Sequence, residues 1–185
     1  MTKQLAQYSV PAENSRVIRV FLSSTFRDME MERSALVKLF KGLQVKAASR
    51  GATMSLVDLR WGITEEDAKS GKVVEICLKE IVNSRPFFIG MVGDRYGWCP
   101  SYEDLSQTLN DSLEYRWIED DLNHHLSVTE IEMQFGVLRN PNPLHAYFYI
   151  KQSADDELSC PEEESLKLKR LKESILQQDR YPVQE

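Results

Sequence analysis

The sequence lacks the features that mark several large classes of protein. It has only three cysteines, Cys77, Cys99 and Cys160, which lie far apart and cannot all pair, so a disulfide scaffold is excluded. No stretch approaches the ~20 apolar residues that a membrane-spanning helix needs. The opening MTKQLAQYSVPAENSR also has no apolar centre of the kind found in signal peptides. We therefore expect a cytoplasmic protein with reduced thiols and no membrane partner.

Basic runs and the common cofactor motifs are absent as well. The net charge is −6, with 23 Lys and Arg against 29 Asp and Glu, so nothing predicts a nucleic-acid partner. No Gly-x-Gly-x-x-Gly follows the first strand, and KSGK (69–72) lacks the frame of a phosphate-binding loop. The adjacent His124 and His125 would lie on different sides of a helix and suit no single metal. We expect no bound metal and no resident cofactor.

The hydrophobic pattern alternates between strands and helices. Apolar runs predict buried strands at 16–24, 54–59, 86–93 and 144–151, and RYPVQE (180–185) predicts the start of a fifth. Helical spacing of apolar residues predicts helices through 36–47, 74–83 and 161–178. This order predicts an α/β fold, a doubly wound and mainly parallel sheet of about five strands with helices on both faces. The polar residues 1–15 predict a flexible arm, and 16–185 a single domain.

Polar and aromatic residues follow three of the predicted strands at the point where each strand ends. In an open parallel sheet, ligands bind outside the carboxyl ends of the strands, so these clusters predict one binding edge. Their hydroxyl, guanidinium, carboxylate and aromatic groups suit a ligand with phosphates, ribose hydroxyls and a base to stack upon. The candidate binding residues are Ser23, Ser24, Arg27, Asp58, Arg60, Trp61, Asp94, Tyr96 and Trp98.

A purely structural interpretation competes with this one. Four segments fit the capping box, in which side chains at both ends of the first helical turn bond to free backbone amides. These segments are Thr25–Asp28, Thr64–Asp67, Ser127–Glu130 and Ser159–Glu162. Arg60 and Trp61 could likewise pair and pack at the end of the second strand.

One carboxylate in SVTEIEMQFG (127–136) has no such explanation. If Ser127 caps a helix, Glu130 is its reciprocal partner, but Glu132 is left at the edge of the buried face beside Ile131. Gly136 lies one turn further along and would leave space beside the carboxylate. A carboxylate at a core margin suits a general acid, a general base or a stabiliser of an oxocarbenium ion. The alternative is an ordinary half-exposed surface glutamate.

Four motifs in this order resemble a TIR-like domain family found at the N-terminus of STAND-type ATPases, including telomerase-associated and nephrocystin-type proteins and bacterial relatives. The motifs are RVFLSSTFRDMEMER, VDLRWGITEED, SRPFFIGMVGDRYGW and SVTEIEM, and the similarity covers residues 16–178. The resemblance implies a flavodoxin-like fold related to TIR and nucleoside deoxyribosyltransferase domains. It also implies self-association and a NACHT-like ATPase region that follows this domain in a longer protein.

In the enzymes among those relatives, a helical glutamate near the carboxyl edge of the sheet assists cleavage of an N-glycosidic bond. Matching their Glu-x-x-x-small-Leu pattern to EMQFGVL (132–138) makes Glu132 the candidate catalytic residue. The sequence departs from enzymatic TIR domains because YGWC (96–99) lies far upstream of that helix. The resemblance therefore implies one of two functions. The first is an immune or defence effector that hydrolyses NAD or a related nucleotide upon oligomerisation, and the second is a non-catalytic homotypic interaction module.

On the catalytic hypothesis, each group of candidate residues would contact a different part of the ligand. Ser23, Ser24 and Arg27 would hold phosphate or ribose, Asp58 and Arg60 would line the ribose pocket, and Tyr96 or Trp98 would stack on a ring. NAD would then be the substrate and not a resident cofactor.

Overall fold

A computed structural model of the chain describes residues 16–59, 72–102, 104–105, 117–118, 125–142, 144–152 and 161–185. Its strands are β1 (Val17–Ser24), β2 (Thr53–Val57), β3 (Phe87–Val92), β4 (His145–Ile150) and β5 (Val183–Gln184). Its helices are α1 (Glu30–Ala48), α2 (Val73–Ser84), α3 (Val128–Met133) and α4 (Glu162–Gln177), and a π-helical segment, Gln134–Leu138, continues α3. The predicted arm, residues 1–15, lies outside the described residues.

The five strands form one parallel sheet in the order β2-β1-β3-β4-β5. In its register Phe21 lies beside Phe88, and Ile89 lies beside Tyr147. This order is the flavodoxin-like one, and each connection between neighbouring strands carries a helix, as parallel pairing requires. The predicted fold class is confirmed, including the short fifth strand that RYPVQE begins.

Helices cover the sheet unequally on its two faces. The larger core joins β1, β3 and β4 to α2, α3 and α4, with Phe21, Phe88 and Phe148 at its centre. The opposite face carries α1, which covers a smaller cluster around Leu22, Met29 and Met91. The reversal of direction between the β1–β2 connection and the later ones places α1 on the opposite side of the sheet from the other described helices, as right-handed crossovers dictate.

The prediction of buried strands is wrong for β2 and for one face of β4. Strand β2 is at the edge of the sheet and is at most half-buried. Strand β4 alternates between buried and exposed residues, and Tyr147 and Tyr149 are 50% and 42% exposed. They lie on the α1 face, because Tyr147 is in register with Ile89 of the smaller cluster. The run of aromatic residues in β4 therefore looked continuously apolar in the sequence, although its residues alternate between the core and the surface.

Two helix starts differ from the capping pattern. Helix α1 begins at Glu30, and Met29 provides no side-chain cap, so the capping box predicted at Thr25 and Asp28 is wrong. Ser127 does cap α3, because its Oγ accepts a hydrogen bond from the Glu130 amide at 3.2 Å. Residues 64, 67 and 159 of the other two boxes lie outside the described residues. No helix in the described ranges is long and apolar enough to cross a membrane.

Candidate functional site

The loops that follow β1 and β3 are joined by a single carboxylate. Asp28 Oδ2 accepts hydrogen bonds from the backbone amides of Asp94 at 2.8 Å and Arg95 at 3.1 Å. Both of these backbone amides of the loop after β3 are therefore satisfied by a side chain of the loop after β1, and this fixes the two loops relative to each other. We call Asp28 with these two amides the loop latch.

The loop latch needs a glycine at position 93, and a lysine that follows a third strand also contacts it. A Cβ atom added to Gly93 would lie 2.3 Å from Asp28 Oδ2 and 2.7 Å from Met29 Sδ, so only glycine fits there. Lys151, just after β4, donates from its Nζ to the Asp28 carbonyl and forms an ion pair with Glu32, each at 3.1 Å. Three strand ends therefore converge where the sequence predicted a binding edge.

Helix α3 carries Glu132 to the same edge. The amide of Val128 donates to the Trp98 carbonyl at 2.9 Å, so the start of α3 is tied to the loop after β3. The Ser127 cap fixes the first turn, and Glu132 lies one turn later. Its side chain is 7% exposed, which rules out the alternative of a half-exposed surface glutamate.

The Glu132 carboxylate lies among hydrogen-bond donors of neighbouring elements. Ser23 Oγ of β1 donates to Glu132 Oε2 at 2.6 Å. Burial raises the pKa of the Glu132 carboxyl, whereas hydrogen bonds from Ser23 and Cys77 and the charge of Arg33 oppose that rise. Burial also raises the pKa of the Cys77 thiol, and the nearby carboxylate raises it further, so the thiol retains its proton and can donate it in a hydrogen bond. An ionisable group in such surroundings is a recognised mark of functional sites.

A buried ion pair supports the floor of this site. Arg33 of α1 is 1% exposed, and its Nη2 lies 2.5 Å from Asp58 Oδ1, whose side chain is 5% exposed. Arg33 Nη1 donates to the Ser24 carbonyl at 2.8 Å and to Ser24 Oγ at 2.5 Å. The face of the Phe26 ring lies 4.8 Å from the guanidinium carbon. The guanidinium therefore links the ends of β1 and β2 beneath the site.

A cavity of about 430 Å³ opens over these groups. Such a volume lies in the range of small-molecule sites. No group of His, Cys, Asp or Glu side chains suited to a metal occurs among the residues that are described. The lining residues are Leu22, Ser24, Thr25, Phe26, Arg27, Asp28, Arg33, Leu59, Val73, Cys77, Arg95, Gly97, Trp98, Val128, Thr129, Glu132 and Glu164.

The predicted site residues divide into three groups. Ser24, Arg27, Trp98 and Glu132 line the cavity together. Ser23 and Asp58 lie behind it and contact lining residues, Glu132 and Arg33 respectively. Asp94 and Tyr96 do not line it, and Arg60 and Trp61 lie outside the described residues.

Tyr96 was expected to stack on a ligand and Gly136 to leave space beside Glu132, but both positions serve core packing. Tyr96 is buried in the main core, and its hydroxyl donates to the Glu130 carboxylate, so its ring is not available for stacking in the cavity. A Cβ atom at Gly136 would lie 2.6 Å from the Phe88 ring. The space that the glycine leaves is therefore filled by the Phe88 ring, and the prediction that it would lie open beside the Glu132 carboxylate is wrong.

The cavity is also lined by four residues that were not among the predicted candidates: Thr25, Arg33, Cys77 and Arg95. Arg33 resembles an ordinary charged residue of a helix surface, and only its alignment with Asp58 across the fold would identify it. Cys77 lies on the buried face of α2, where a cysteine usually acts as a small apolar residue. Arg95 directly follows the predicted Asp94, so the β3 cluster was the signal that could have located it.

The chain matches the family described as "Domain of unknown function (DUF4062)" over residues 19–183. It belongs to the DUF4062 family. The DUF4062 domain is similar to telomerase protein component 1 of Rattus norvegicus, with 42% identity over 122 residues, which is 65% of this chain and 4% of that protein. No solved structure matches the chain.

Other relatives of this DUF4062 domain are also much longer proteins. A TPR repeat-containing protein of Dictyostelium discoideum is 29% identical over 147 residues, which is 75% of this chain and 9% of that protein. The NACHT domain- and WD repeat-containing protein 1 of Mus musculus is 35% identical over 78 residues, which is 39% of this chain and 5% of that protein. The chain thus spans less than a tenth of each of these relatives, and NACHT proteins are among its homologues.

Proposed function

We propose that this DUF4062 domain cleaves the N-glycosidic bond of NAD or a related nucleotide, as the TIR-like effector of a STAND-type protein with an immune or defence role. The observation that carries the proposal is the Glu132 carboxylate, buried beside Ser23 and Cys77 in the wall of a cavity that also holds Arg27 and Trp98. The NACHT proteins among the homologues support the link to STAND ATPases.

The chemistry requires one well-placed anion. When the bond between ribose C1′ and the nicotinamide nitrogen breaks, the bonding electrons leave with nicotinamide, and positive charge develops on the ribose. A carboxylate next to C1′ stabilises that charge and then accepts a proton from the water that attacks C1′. The products are nicotinamide, ADP-ribose and a proton, so atoms and charges balance. Glu132 has the ionisable oxygen and the dry surroundings that this role demands.

The decisive experiment measures nicotinamide release from NAD by the 185-residue chain fused to an oligomerising scaffold, so that copies are brought together. Glu132→Gln keeps the side-chain shape and should reduce release at least 100-fold, since removing one electrostatic contact to a transition state costs about 10²–10³ in rate. Glu173→Gln, an exposed position on α4, is the matched control and should retain full activity.

Two results would refute the proposal. One is no release by the folded, oligomerised wild-type chain at high enzyme concentration, and the other is equal release by the Glu132→Gln variant. Circular dichroism of each variant shows whether it is folded.

A non-catalytic interaction module is the second candidate, and the exposed aromatic residues of β4 favour it. Tyr147 and Tyr149 present apolar rings on a face that α1 leaves open. Such surface aromatics are typical of protein interfaces. If self-association is the function, Tyr147→Arg with Tyr149→Arg should abolish it in sedimentation velocity, whereas Glu132→Gln should leave it unchanged.

A further inference from the structure

Two arginines at the rim of the cavity have no partner for their charge among the residues that the structure describes. Arg27, in the loop after β1, and Arg95, in the loop after β3, are both exposed and both line the cavity. Within the described part of the chain, neither guanidinium forms a hydrogen bond or an ion pair. Arg33 differs from them, because it is buried and committed to Asp58 and Ser24.

The loop latch holds the two arginines in one place. Arg27 directly precedes Asp28, and the backbone amide of Arg95 is itself one of the two donors to Asp28 Oδ2. Two cationic side chains from different strands are therefore anchored to the same carboxylate through their backbones. The latch thus holds together two loops that each carry a guanidinium without an ion pair among the described residues.

No carboxylate among the described residues forms an ion pair with either guanidinium. Asp28 is turned toward the backbone amides of the latch, and its Oδ1 is buried and has no hydrogen-bond partner among the described residues. Glu132 lies at the inner wall beside Ser23. Glu164 of α4 is the other acidic residue lining the cavity. The outer part of the cavity thus offers two guanidinium groups beside the exposed Trp98 ring, and the inner part offers a carboxylate.

We propose that Arg27 and Arg95 form a binding site for the diphosphate of a dinucleotide, which orients the substrate with its phosphates at the rim and its glycosidic bond toward Glu132. Guanidinium groups bind phosphate oxygens through paired, charge-assisted hydrogen bonds. Thr25 and Asp28 also line the cavity between the rim and Glu132. The identity of the nucleotide rests on the proposed function, but binding of the diphosphate does not.

Calorimetric titration of the 185-residue chain with ADP-ribose, adenosine and inorganic pyrophosphate tests the site directly. ADP-ribose has no nicotinamide to lose, so its binding is independent of catalysis. The wild-type chain should bind ADP-ribose more tightly than adenosine and should also bind pyrophosphate. Arg27→Gln and Arg95→Gln should each weaken ADP-ribose binding about 5–10-fold, and the double variant more, with adenosine unchanged. Arg50→Gln, an exposed position at the end of α1, is the control and should bind like the wild type.

The inference is overturned if the wild-type chain binds neither ADP-ribose nor pyrophosphate, or if it binds adenosine as tightly as ADP-ribose. Equal ADP-ribose affinity in the double variant and the Arg50→Gln control also overturns it. Arginine-dependent ADP-ribose binding by a chain whose oligomerised form releases no nicotinamide refutes the proposed function and leaves the diphosphate site standing. The two proposals therefore fail separately.

Discussion

Removing one partner of the Arg33–Asp58 pair should destabilise the fold more than most single substitutions. Both side chains are almost fully buried, so the remaining charge would lose this ion pair in a poorly solvated place. Breaking a buried pair from one side typically costs about 3–5 kcal/mol. A domain of this size has a total stability of roughly 5–15 kcal/mol, so each single variant should lose a large part of it.

The double variant should be much less affected than the two single variants suggest. Replacing a buried pair by apolar side chains of similar size is often close to neutral. In Arg33→Met with Asp58→Leu, the Ser24 carbonyl still loses the donor that Arg33 Nη1 provides at 2.8 Å. Leaving that acceptor unpaired costs about 1–3 kcal/mol. The double variant should therefore be about 1–3 kcal/mol less stable than the wild type, with a coupling energy of at least ~3 kcal/mol between the two sites.

Urea denaturation followed by circular dichroism gives the free energy of unfolding for all four members of the cycle. At roughly 2–4 °C per kcal/mol for a domain of this size, each single variant should also melt about 6–20 °C lower than the wild type. Single variants that lose less than ~1 kcal/mol, or losses that add in the double variant, would show that the pair does not support the site as described.

Three further perturbations test individual contacts. Burial raises the pKa of Glu132 above its ordinary value of 4.5, so folding favours its protonated form and the carboxylate destabilises the fold increasingly as pH rises from that value through the raised pKa. Glu132→Gln should therefore unfold like the wild type below pH 4.5 and be the more stable of the two at pH 7.5 in urea titrations, and a less stable variant at pH 7.5 would contradict the assignment. Gly93→Ala should break the loop latch, because its Cβ would lie 2.3 Å from Asp28 Oδ2, and should cost about 1–3 kcal/mol in unfolding experiments. Gly42→Ala is its control, since nothing lies within 4 Å of that Cβ in α1, and it should gain about 0.5–1 kcal/mol. Gly136→Ala should likewise cost about 1–3 kcal/mol, because its Cβ would meet the Phe88 ring at 2.6 Å, and a neutral effect would show that the ring can move aside.

The sheet could be predicted from the sequence because each strand and each helix has a pattern that is visible within a short stretch of residues. Each strand is a short apolar run, and the alternation of runs with helical patterns decides parallel pairing and the side of each crossover. The exposure of β4 could not be predicted this way. Tyr147 and Tyr149 are as compatible with a surface as with a core, and only the absence of a covering helix on that side among the described residues leaves them exposed.

The candidate site could be predicted in part for a similar reason. The end of each strand is visible in the sequence, so Ser24, Arg27 and Trp98 were found as residues of one edge. The contacts of Arg33 and Tyr96 depend on which side chains meet across the fold. A buried arginine and a buried tyrosine hydroxyl each bond to a distant carboxylate, and no spacing in the sequence shows such a pair.

Glu132 is a charged residue at a buried helix position, where an apolar residue is usual, and this favours a role beyond folding. Its neighbours Ile131 and Met133 are buried, and an apolar residue there would avoid the desolvation of a carboxylate. The chain instead provides Ser23 from β1 and Cys77 from α2 as donors to keep the charge tolerable in that place. A buried carboxylate that needs two hydrogen-bond donors from separate elements would be an unfavourable choice if the residue only packed in the core. It is expected if an anion is needed where positive charge develops on a substrate.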